Sequence, residues 1–212
     1  MQSDKPATDW TGYYQRPFIA TSVTRQITTR RLIGHLTRNQ TTPTPQIVEW
    51  GGGNSCFIEA VYQHLRPQSY TVCDTNELGL KLIRQQAIRY PGLDALRSDV
   101  LLSTAQPLQA DIVFSVGLIE HFDPVGTARA IESHFACAKP GGLVLISFPT
   151  PTLLYRATRF CAESLGLWAF PDERALQFAE VRHEMAKWGH FLASELIWPI
   201  VLTQGMLVFR KR

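Results

Sequence analysis

From Gln46 onward, short apolar runs alternate with helix-length amphipathic segments. This alternation is typical of βαβ units on a parallel sheet. Strands are predicted near 46–50, 69–73, 95–98, 111–116 and 143–148. Helices are predicted near 55–65, 76–89 and 124–138. Two later apolar runs, 192–202 and 206–209, predict a hairpin that closes the sheet edge. The chain is therefore expected to adopt an α/β fold.

Two segments fall outside this rhythm. Residues 1–45 contain an aromatic cluster (Trp10, Tyr13 and Tyr14) and a stretch, 17–38, that could form one or two helices without a clean apolar stripe. Because prolines follow in the segment 41–45, we expect an N-terminal helical arm over 1–45 and the main domain over 46–212.

The second segment is an insertion, 151–188, after the fifth predicted strand. An amphipathic helix is predicted there from apolar residues spaced three and four apart: Leu154, Ala157, Cys161, Leu165 and Trp168. Since specificity segments of α/β folds lie beyond the carboxyl ends of the strands, the insertion could form a lid and acceptor wall. Its apolar face could equally belong to the core.

Composition excludes several classes of protein. The chain has 212 residues, 45% hydrophobic and 18% charged, against roughly 25% charged in an average soluble protein, so extensive disorder is not expected. No apolar stretch approaches the ~20 residues of a membrane span, and no secretory signal is evident at the N-terminus. The four cysteines form no C-x-x-C pair, so neither a zinc site nor a disulfide framework is expected, and the cytoplasm is the expected compartment.

The charge pattern argues against a nucleic-acid substrate. Residues 1–45 carry six Lys/Arg and two Asp/Glu, whereas residues 46–212 carry fifteen and sixteen, for a net charge of +3. The body of the chain is therefore nearly neutral, and the small basic excess lies in the arm.

The most informative motif is the glycine run at the end of the first predicted strand, Glu49-Trp50-Gly51-Gly52-Gly53. Residues without side chains let the backbone approach a ligand closely, and the helix that follows points its N–H groups at the same place. A nucleotide-type cofactor is therefore expected. As a dinucleotide fingerprint the run is imperfect, because Cys56 stands where a third glycine or alanine belongs.

Written as Glu-x-Gly-x-Gly, the run resembles motif I of the class I S-adenosylmethionine-dependent methyltransferases. Three later segments resemble that family in the same order: Ser98-Asp99-Val100, the stretch 111–122 with its Glu120-His121 pair, and 138–145. The resemblance covers roughly residues 46–150. It implies a Rossmann-like, doubly wound, mostly parallel seven-stranded sheet with an antiparallel terminal hairpin strand, and S-adenosyl-L-methionine as the cofactor.

The resemblance also implies roles for particular residues. Asp74 would accept hydrogen bonds from the ribose hydroxyls, and Asp99 would accept the adenine amine while Val100 covers the ring. Glu49 would orient the glycine run or meet the cofactor's amino group through water. The expected cofactor-binding residues are Glu49, Gly51, Gly52, Gly53, Asp74, Thr75, Asp99, Val100, Ser115 and Val116.

Methyl transfer from a sulfonium is an in-line displacement that requires alignment and exclusion of water. A hydroxyl acceptor would profit from a base, for which His121 is the first candidate and His190 the second. Quinone-biosynthesis O-methyltransferases resemble this stretch and can carry a Glu-x-x-Glu-His metal site. Here Gly117 stands at the first position of that pattern, so no metal is predicted.

These residues together predict a cytoplasmic methyltransferase that acts on a small molecule, at oxygen. An aromatic or lipid-like acceptor would suit an apolar lid, whereas Arg156 and Arg159 would suit an anionic one. The sequence leaves open whether the protein forms a homodimer. The alternatives are an NAD(P)-dependent oxidoreductase and a non-catalytic, cofactor-binding regulatory protein.

Overall fold

A computed structural model describes residues 6–15, 21–102, 108–197 and 203–212. Helices α1 (Trp10–Gln15) and α2 (Thr21–Asn39) come first. They are followed by β1 (Gln46–Trp50), α3 (Ile58–Leu65), β2 (Ser69–Asp74), α4 (Glu77–Ala87), β3 (Leu93–Arg97) and β4 (Ala110–Val116). A short 3-10 turn (Ile119–His121) leads to α5 (Pro124–Cys137) and β5 (Ala138–Pro149). The chain continues through α6 (Leu153–Ser164), α7 (Phe178–Ala186), β6 (Gly189–Ile197) and β7 (Gln204–Lys211).

The strands form one seven-stranded sheet in the order β3-β2-β1-β4-β5-β7-β6. Strands β1 to β5 pair in parallel, and β7 pairs antiparallel with both β5 and β6. The strand order reverses between β1 and β4, which is where open α/β sheets form a crevice at the carboxyl ends of their strands. The predicted doubly wound sheet with an antiparallel terminal hairpin is confirmed.

The sheet is covered on both faces, as mostly parallel sheets require. Consecutive residues of β1 show this, because Ile47 packs in the cluster that includes α2, α3 and α4, whereas Val48 packs in the cluster that includes α5 and α7. Helices α3 and α4, which connect β1 to β2 and β2 to β3, therefore lie on one face of the sheet, and α5, which connects β4 to β5, lies on the other.

Helix α2 packs against the first face through Leu32, Ile33 and Leu36. Its polar side reaches the terminal hairpin, where Thr28 donates a hydrogen bond of 2.8 Å to Gln204 and His35 lies 2.9 Å from Glu195. The fully packed apolar residues lie in the second half of this helix, whereas Val23 in the first half is 45% exposed, so no continuous apolar stripe runs along its whole length.

The structure refines some predicted boundaries. Helix α5 ends at Cys137, and strand pairing begins at once with Ala138. The residues from Ala138 to Leu143 therefore form the start of β5 rather than a free turn. The hairpin forms as predicted, although residues 198–202 of the first apolar run lie outside the described part of the chain. None of the helices in the described ranges is long and apolar enough to cross a membrane.

Candidate active site

The turn after β1 has a backbone that depends on glycine. Gly51 adopts φ of 70°, in the left-handed region that other residues rarely enter. Its amide donates a hydrogen bond of 2.8 Å to the carbonyl of Cys73, and a Cβ at this position would lie 2.8 Å from the Leu118 side chain. The turn is thereby tied to β2 and to the loop after β4.

The next two glycines are required by close neighbours rather than by φ. A Cβ at Gly52 would lie 2.5 Å from Cδ of Glu49. A Cβ at Gly53 would lie 2.7 Å from Oδ2 of Asp74 and 2.8 Å from the hydroxyl of Tyr14. A side chain at any of these three positions would therefore require its neighbours to move.

Glu49 is buried beneath this turn, with 2% of its surface exposed. The Tyr70 hydroxyl donates a hydrogen bond to Oε2 of Glu49, and Ser55 also interacts with the carboxylate. Burial raises the pKa of Glu49 to about 7, although these hydrogen bonds oppose the shift. Glu49 thus supports the glycine turn from below and changes protonation state near neutral pH.

Asp74, at the end of β2, organises the neighbouring turn. Its Oδ2 accepts a hydrogen bond of 2.7 Å from the Gly53 amide, and its Oδ1 accepts one of 2.8 Å from the Asn76 amide. The Tyr14 hydroxyl donates a longer bond, 3.4 Å, to Oδ2. The structure therefore joins Glu49, the glycine turn and Asp74, whereas the Thr75 side chain is exposed.

The remaining predicted cofactor residues follow β3 and end β4. Asp99 accepts a hydrogen bond of 2.8 Å from the Leu101 amide, and Val100 is buried. The amide of Ser98 bonds to the carbonyl of Asp74 at 3.0 Å, which brings the turn after β3 next to the turn after β2.

Ser115 pairs in register with Trp50, beside the start of the glycine turn, and Val116 is the last residue of β4. The hydroxyl of Ser115 is used inside the core, where it donates a hydrogen bond of 2.8 Å to Nε2 of His134. The side chain of Ser115 is thus engaged within the core, so its predicted role in cofactor binding could fall only to its backbone.

Residues 8–14, which we call the strap, lie across this edge of the sheet. At one end Tyr14 covers Gly53 and Gly79, and Thr11 accepts a hydrogen bond of 2.9 Å from the Asn76 side chain. In the middle, the Trp10 ring lies edge-on to His121, with 4.9 Å between ring centroids. The aromatic residues of the arm thus belong to the site.

His121 is held by Asp172, a residue that the sequence did not indicate. Nδ1 of His121 lies 3.0 Å from Oδ1 of Asp172, and the two side chains are 8% and 20% exposed. Thr8 donates from its amide to Oδ2 of Asp172 at 3.1 Å and from its hydroxyl to Oδ1. Asp172 is 51 positions away in the insertion, and no spacing or motif links it to His121.

The ionisation of this pair follows from its surroundings. Burial lowers the pKa of His121 below its ordinary value, and the Asp172 carboxylate opposes that shift. Burial also raises the pKa of Asp172, but the hydrogen bonds from Thr8 and His121 outweigh it and hold that pKa below its usual range. At neutral pH the pair is therefore a carboxylate beside a neutral imidazole.

A second acidic group lies beneath the pair. Glu120 is buried, and its Oε2 has no hydrogen-bond partner within the described ranges. Burial and the neighbouring Glu173 raise the pKa of Glu120 well above its ordinary value. Glu173 accepts a hydrogen bond from the Tyr155 hydroxyl and lies 3.6 Å from Arg159, so a polar network fastens α6 over the site.

The predicted amphipathic helix of the insertion is present as α6, but its apolar stripe does not join the core. Leu154 is 39% exposed and Leu165, just beyond the helix, is 71% exposed, with Ala157 and Cys161 also exposed between them. Tyr155 is the buried residue of the helix. The interpretation of this stripe as ordinary core is therefore wrong.

His190 is not brought to this site. It is exposed near the start of β6 and pairs with Arg210. Because β6 runs in the same direction as β5, its first residues lie at the opposite edge of the sheet from Gly51 and His121. Within the described ranges, no group of three or more His, Cys, Asp or Glu residues could hold a metal ion.

Comparisons with known proteins agree with this geometry at the level of the fold. No family profile matches the chain. Curated relatives are polyamine aminopropyltransferases from strains of Xanthomonas oryzae pv. oryzae, 25% identical over 170 residues and 73% of this chain. The chain spans 58% of the length of these relatives.

Solved structures match over nearly the whole chain. Magnesium protoporphyrin IX methyltransferase from Synechocystis PCC 6803, with bound S-adenosylhomocysteine, has a TM-score of 0.75 at 14% identity and covers 96% of this chain and 93% of its own. The N-methyltransferase NodS from Bradyrhizobium japonicum, also with S-adenosylhomocysteine, has a TM-score of 0.67 at 15% identity, covering 99% and 93%. A putative O-methyltransferase from Nostoc punctiforme has a TM-score of 0.70 at 17% identity, covering 95% and 60%. The chain therefore has the fold of the class I S-adenosylmethionine-dependent methyltransferases.

Proposed function

We propose that the protein is an S-adenosylmethionine-dependent methyltransferase that methylates a small molecule at oxygen. The observation that carries the proposal is the juxtaposition of two sites at one edge of the sheet. A glycine turn closed by Asp74 ends β1, and the His121–Asp172 pair follows the neighbouring strand β4. The first can hold the cofactor and the second can accept a proton.

The residues present fit the cofactor. The three glycines leave a cradle that a Cβ would fill, and the Asp74 carboxylate, fixed by two amides, keeps acceptor capacity for a ribose diol. Asp99 and Val100 suit the adenine ring, and the buried Glu49 suits a nearby cationic group. When bound, S-adenosylmethionine supplies a methyl group on a positively charged sulfur.

The tautomer of His121 follows from its partner. The Asp172 carboxylate can only accept hydrogen bonds, so Nδ1 of His121 donates, and Nε2 carries the lone pair. The bound cofactor would supply its methyl group to the acceptor oxygen and would leave as S-adenosylhomocysteine. The hydroxyl proton passes to Nε2, and Asp172 stabilises the imidazolium that results.

The walls of the site favour an aromatic or lipid-like acceptor over an anionic one. Trp10 and Phe170 both pack against His121, at centroid distances of 4.9 and 6.0 Å, and exclude water from it. Arg159 is engaged by Glu163 at 2.8 Å and faces Glu173, so its charge is already compensated within the protein. These contacts support an apolar acceptor that carries a hydroxyl.

The proposal assigns residues 46–212 to the methyltransferase domain, the insertion 151–188 to its lid and the arm 1–45 to its cover. All four cysteines are free thiols, which supports the proposed cytoplasmic location.

Ligand binding tests the cofactor first. A ligand at one hundred times its dissociation constant stabilises a protein by about 2.7 kcal/mol, which a thermal shift detects readily. We expect stabilisation by S-adenosylhomocysteine and none by NADH. The reverse result would replace the proposal by the oxidoreductase alternative.

Turnover is tested separately by release of S-adenosylhomocysteine with panels of phenols, quinols and sugars. Amines belong in the panel because the curated relatives are aminopropyltransferases. Methylation of phenols or quinols supports the proposal, and methylation of amines alone contradicts transfer to oxygen. Tight cofactor binding without turnover on any acceptor would favour a regulatory protein.

A further inference from the structure

Thr8 makes a contact that neither motif nor spacing predicts. Its amide and hydroxyl both donate to the carboxylate of Asp172, one to each oxygen. Oδ1, the oxygen that receives the Thr8 hydroxyl, also lies 3.0 Å from Nδ1 of His121. Thr8 itself is 8% exposed, so these bonds are shielded from water.

We propose that Thr8 is a positioning residue for the transfer reaction, acting through Asp172 on His121. The proposal rests on the proposed function. Donors on both oxygens fix the plane and the rotation of the carboxylate, and this in turn fixes the orientation of the imidazole ring and the nitrogen that carries its proton.

Asp172 needs such an anchor because burial disfavours its charged form. Burial alone would raise the pKa of Asp172, and the hydrogen bonds from Thr8 and His121 outweigh that effect. His121 is neutral at pH 7 and supplies only one hydrogen bond. The two Thr8 donors offset this cost, and without the hydroxyl, whose bond is to the oxygen beside His121, we expect Asp172 to turn toward solvent, where its side chain is already 20% exposed.

The strap connects this anchor to the cofactor edge. Helix α1 starts after Asp9, whose carboxylate accepts a hydrogen bond of 2.9 Å from the Gly12 amide. Six residues after Thr8, Tyr14 lies on Gly53 and Asp74. Because one helical turn links the two contacts, Thr8 reaches Asp172 when the strap lies over the glycine turn. The acceptor and cofactor sides are therefore assembled by the same segment.

The test follows the His121 imidazole by NMR titration in the ligand-free full-length protein, which requires no turnover. In Thr8→Val we expect the pKa of His121 to fall by about 1, because the opposite charge that sustains it moves away. Thr8→Ser keeps the hydroxyl and should restore the original value. Thr37→Val removes a threonine hydroxyl that bonds within α2 and should leave the His121 pKa unchanged.

Kinetics and binding provide the second readout. Loss of a hydrogen bond to a charged group predicts about a tenfold fall in kcat/KM for Thr8→Val, with the dissociation constant of S-adenosylhomocysteine unchanged. An unchanged His121 pKa in folded Thr8→Val would overturn the proposal. Thr8→Ala serves the same purpose if the valine variant does not fold.

The two proposals fail separately. A protein without methyltransferase activity whose His121 pKa responds to Thr8→Val keeps the coupling of Thr8 to His121 through Asp172 and loses the proposed function. If the protein is active, but the His121 pKa and kcat/KM are the same in the wild-type protein and in Thr8→Val, the proposed function stands and the positioning role is lost.

Discussion

Gly53 and Asp74 are joined by a hydrogen bond of 2.7 Å from the amide of the first to the carboxylate of the second. This bond links the turn after β1 to the turn after β2, and the Asn76 amide holds the other carboxylate oxygen at 2.8 Å. Asp74 is therefore fixed before any ligand arrives, which reduces the entropy that binding must overcome.

Replacing Asp74 by alanine should weaken S-adenosylhomocysteine binding by roughly tenfold to a hundredfold, since charge-assisted hydrogen bonds contribute about 1.5–3 kcal/mol. Isothermal titration calorimetry measures the affinity. Asp94→Ala, an exposed acid on β3, is the matched control and should bind normally. Equal affinity of Asp74→Ala and the wild-type protein would contradict the ribose role.

Gly53→Ala should also weaken cofactor binding, because its Cβ would come within 2.7 Å of Asp74 and 2.8 Å of Tyr14. Gly34→Ala is the control, since a Cβ there meets nothing within 4 Å in α2. That control should bind normally and be more stable by about 0.5–1 kcal/mol, because alanine suits a helix better than glycine. Normal binding by Gly53→Ala would show that the turn is not part of the cofactor site.

His121→Ala should lower kcat by about 10²- to 10⁴-fold while the affinity for S-adenosylhomocysteine is retained, as expected for a general base. The rate of S-adenosylhomocysteine release with the best acceptor measures the effect. His64→Ala, an exposed histidine on α3, provides the comparison and should retain full activity. A His121→Ala enzyme as fast as the wild type would leave that residue with a packing role only.

Acid should destabilise the protein through His134. Nδ1 of His134 donates to the Ala130 carbonyl at 2.6 Å and Nε2 accepts from Ser115, so the ring is buried and neutral. Burial lowers its pKa from 6.5 to about 4. The unfolded chain therefore binds more protons in this window, and His134 removes about 3 kcal/mol of stability as the pH falls from 6.5 to 4.

Glu49 should act in the opposite direction. Burial raises its pKa from 4.5 to about 7, so the stability it contributes is fully present below pH 4.5 and is lost, by about 3 kcal/mol, as the pH rises through 7. The two effects largely cancel in the wild-type protein. Urea unfolding at a series of pH values should separate them.

In that series Glu49→Gln should be most stable near neutral pH, and His134→Gln should become more stable relative to the wild-type protein as the pH falls. If neither variant changes the slope of stability against pH, the proposed ionisation states are wrong.

Sequence alone located the glycine turn and its neighbours better than it located the partners of His121. Glu49, the glycine turn and Asp74 are brought together by short βα units, whose local geometry follows from their residue pattern. Asp172 and Thr8 meet across 164 positions, through segments with no periodicity, so their partnership appears only once the chain is folded.

Two predictions show what pattern cannot decide. The spacing of apolar residues located α6 but not the side that it buries. The inward side carries Tyr155 and Arg159, where Arg159 donates a hydrogen bond to the Tyr155 hydroxyl and pairs with Glu173. Similarly, the hairpin was recognisable, yet only the pairing of β6 with β7 places His190 at the far edge of the sheet.

The outward apolar face of α6 has a consequence for local stability. Because Leu153, Phe160 and Leu165 are 86%, 71% and 71% exposed, detaching the helix would uncover little additional apolar surface. What opposes detachment is a few directional polar contacts around Glu173, which acid or salt weakens. Amide hydrogens of α6 should therefore exchange with deuterium well before those of α5, and the segment would open as a unit while the sheet beneath it stays folded.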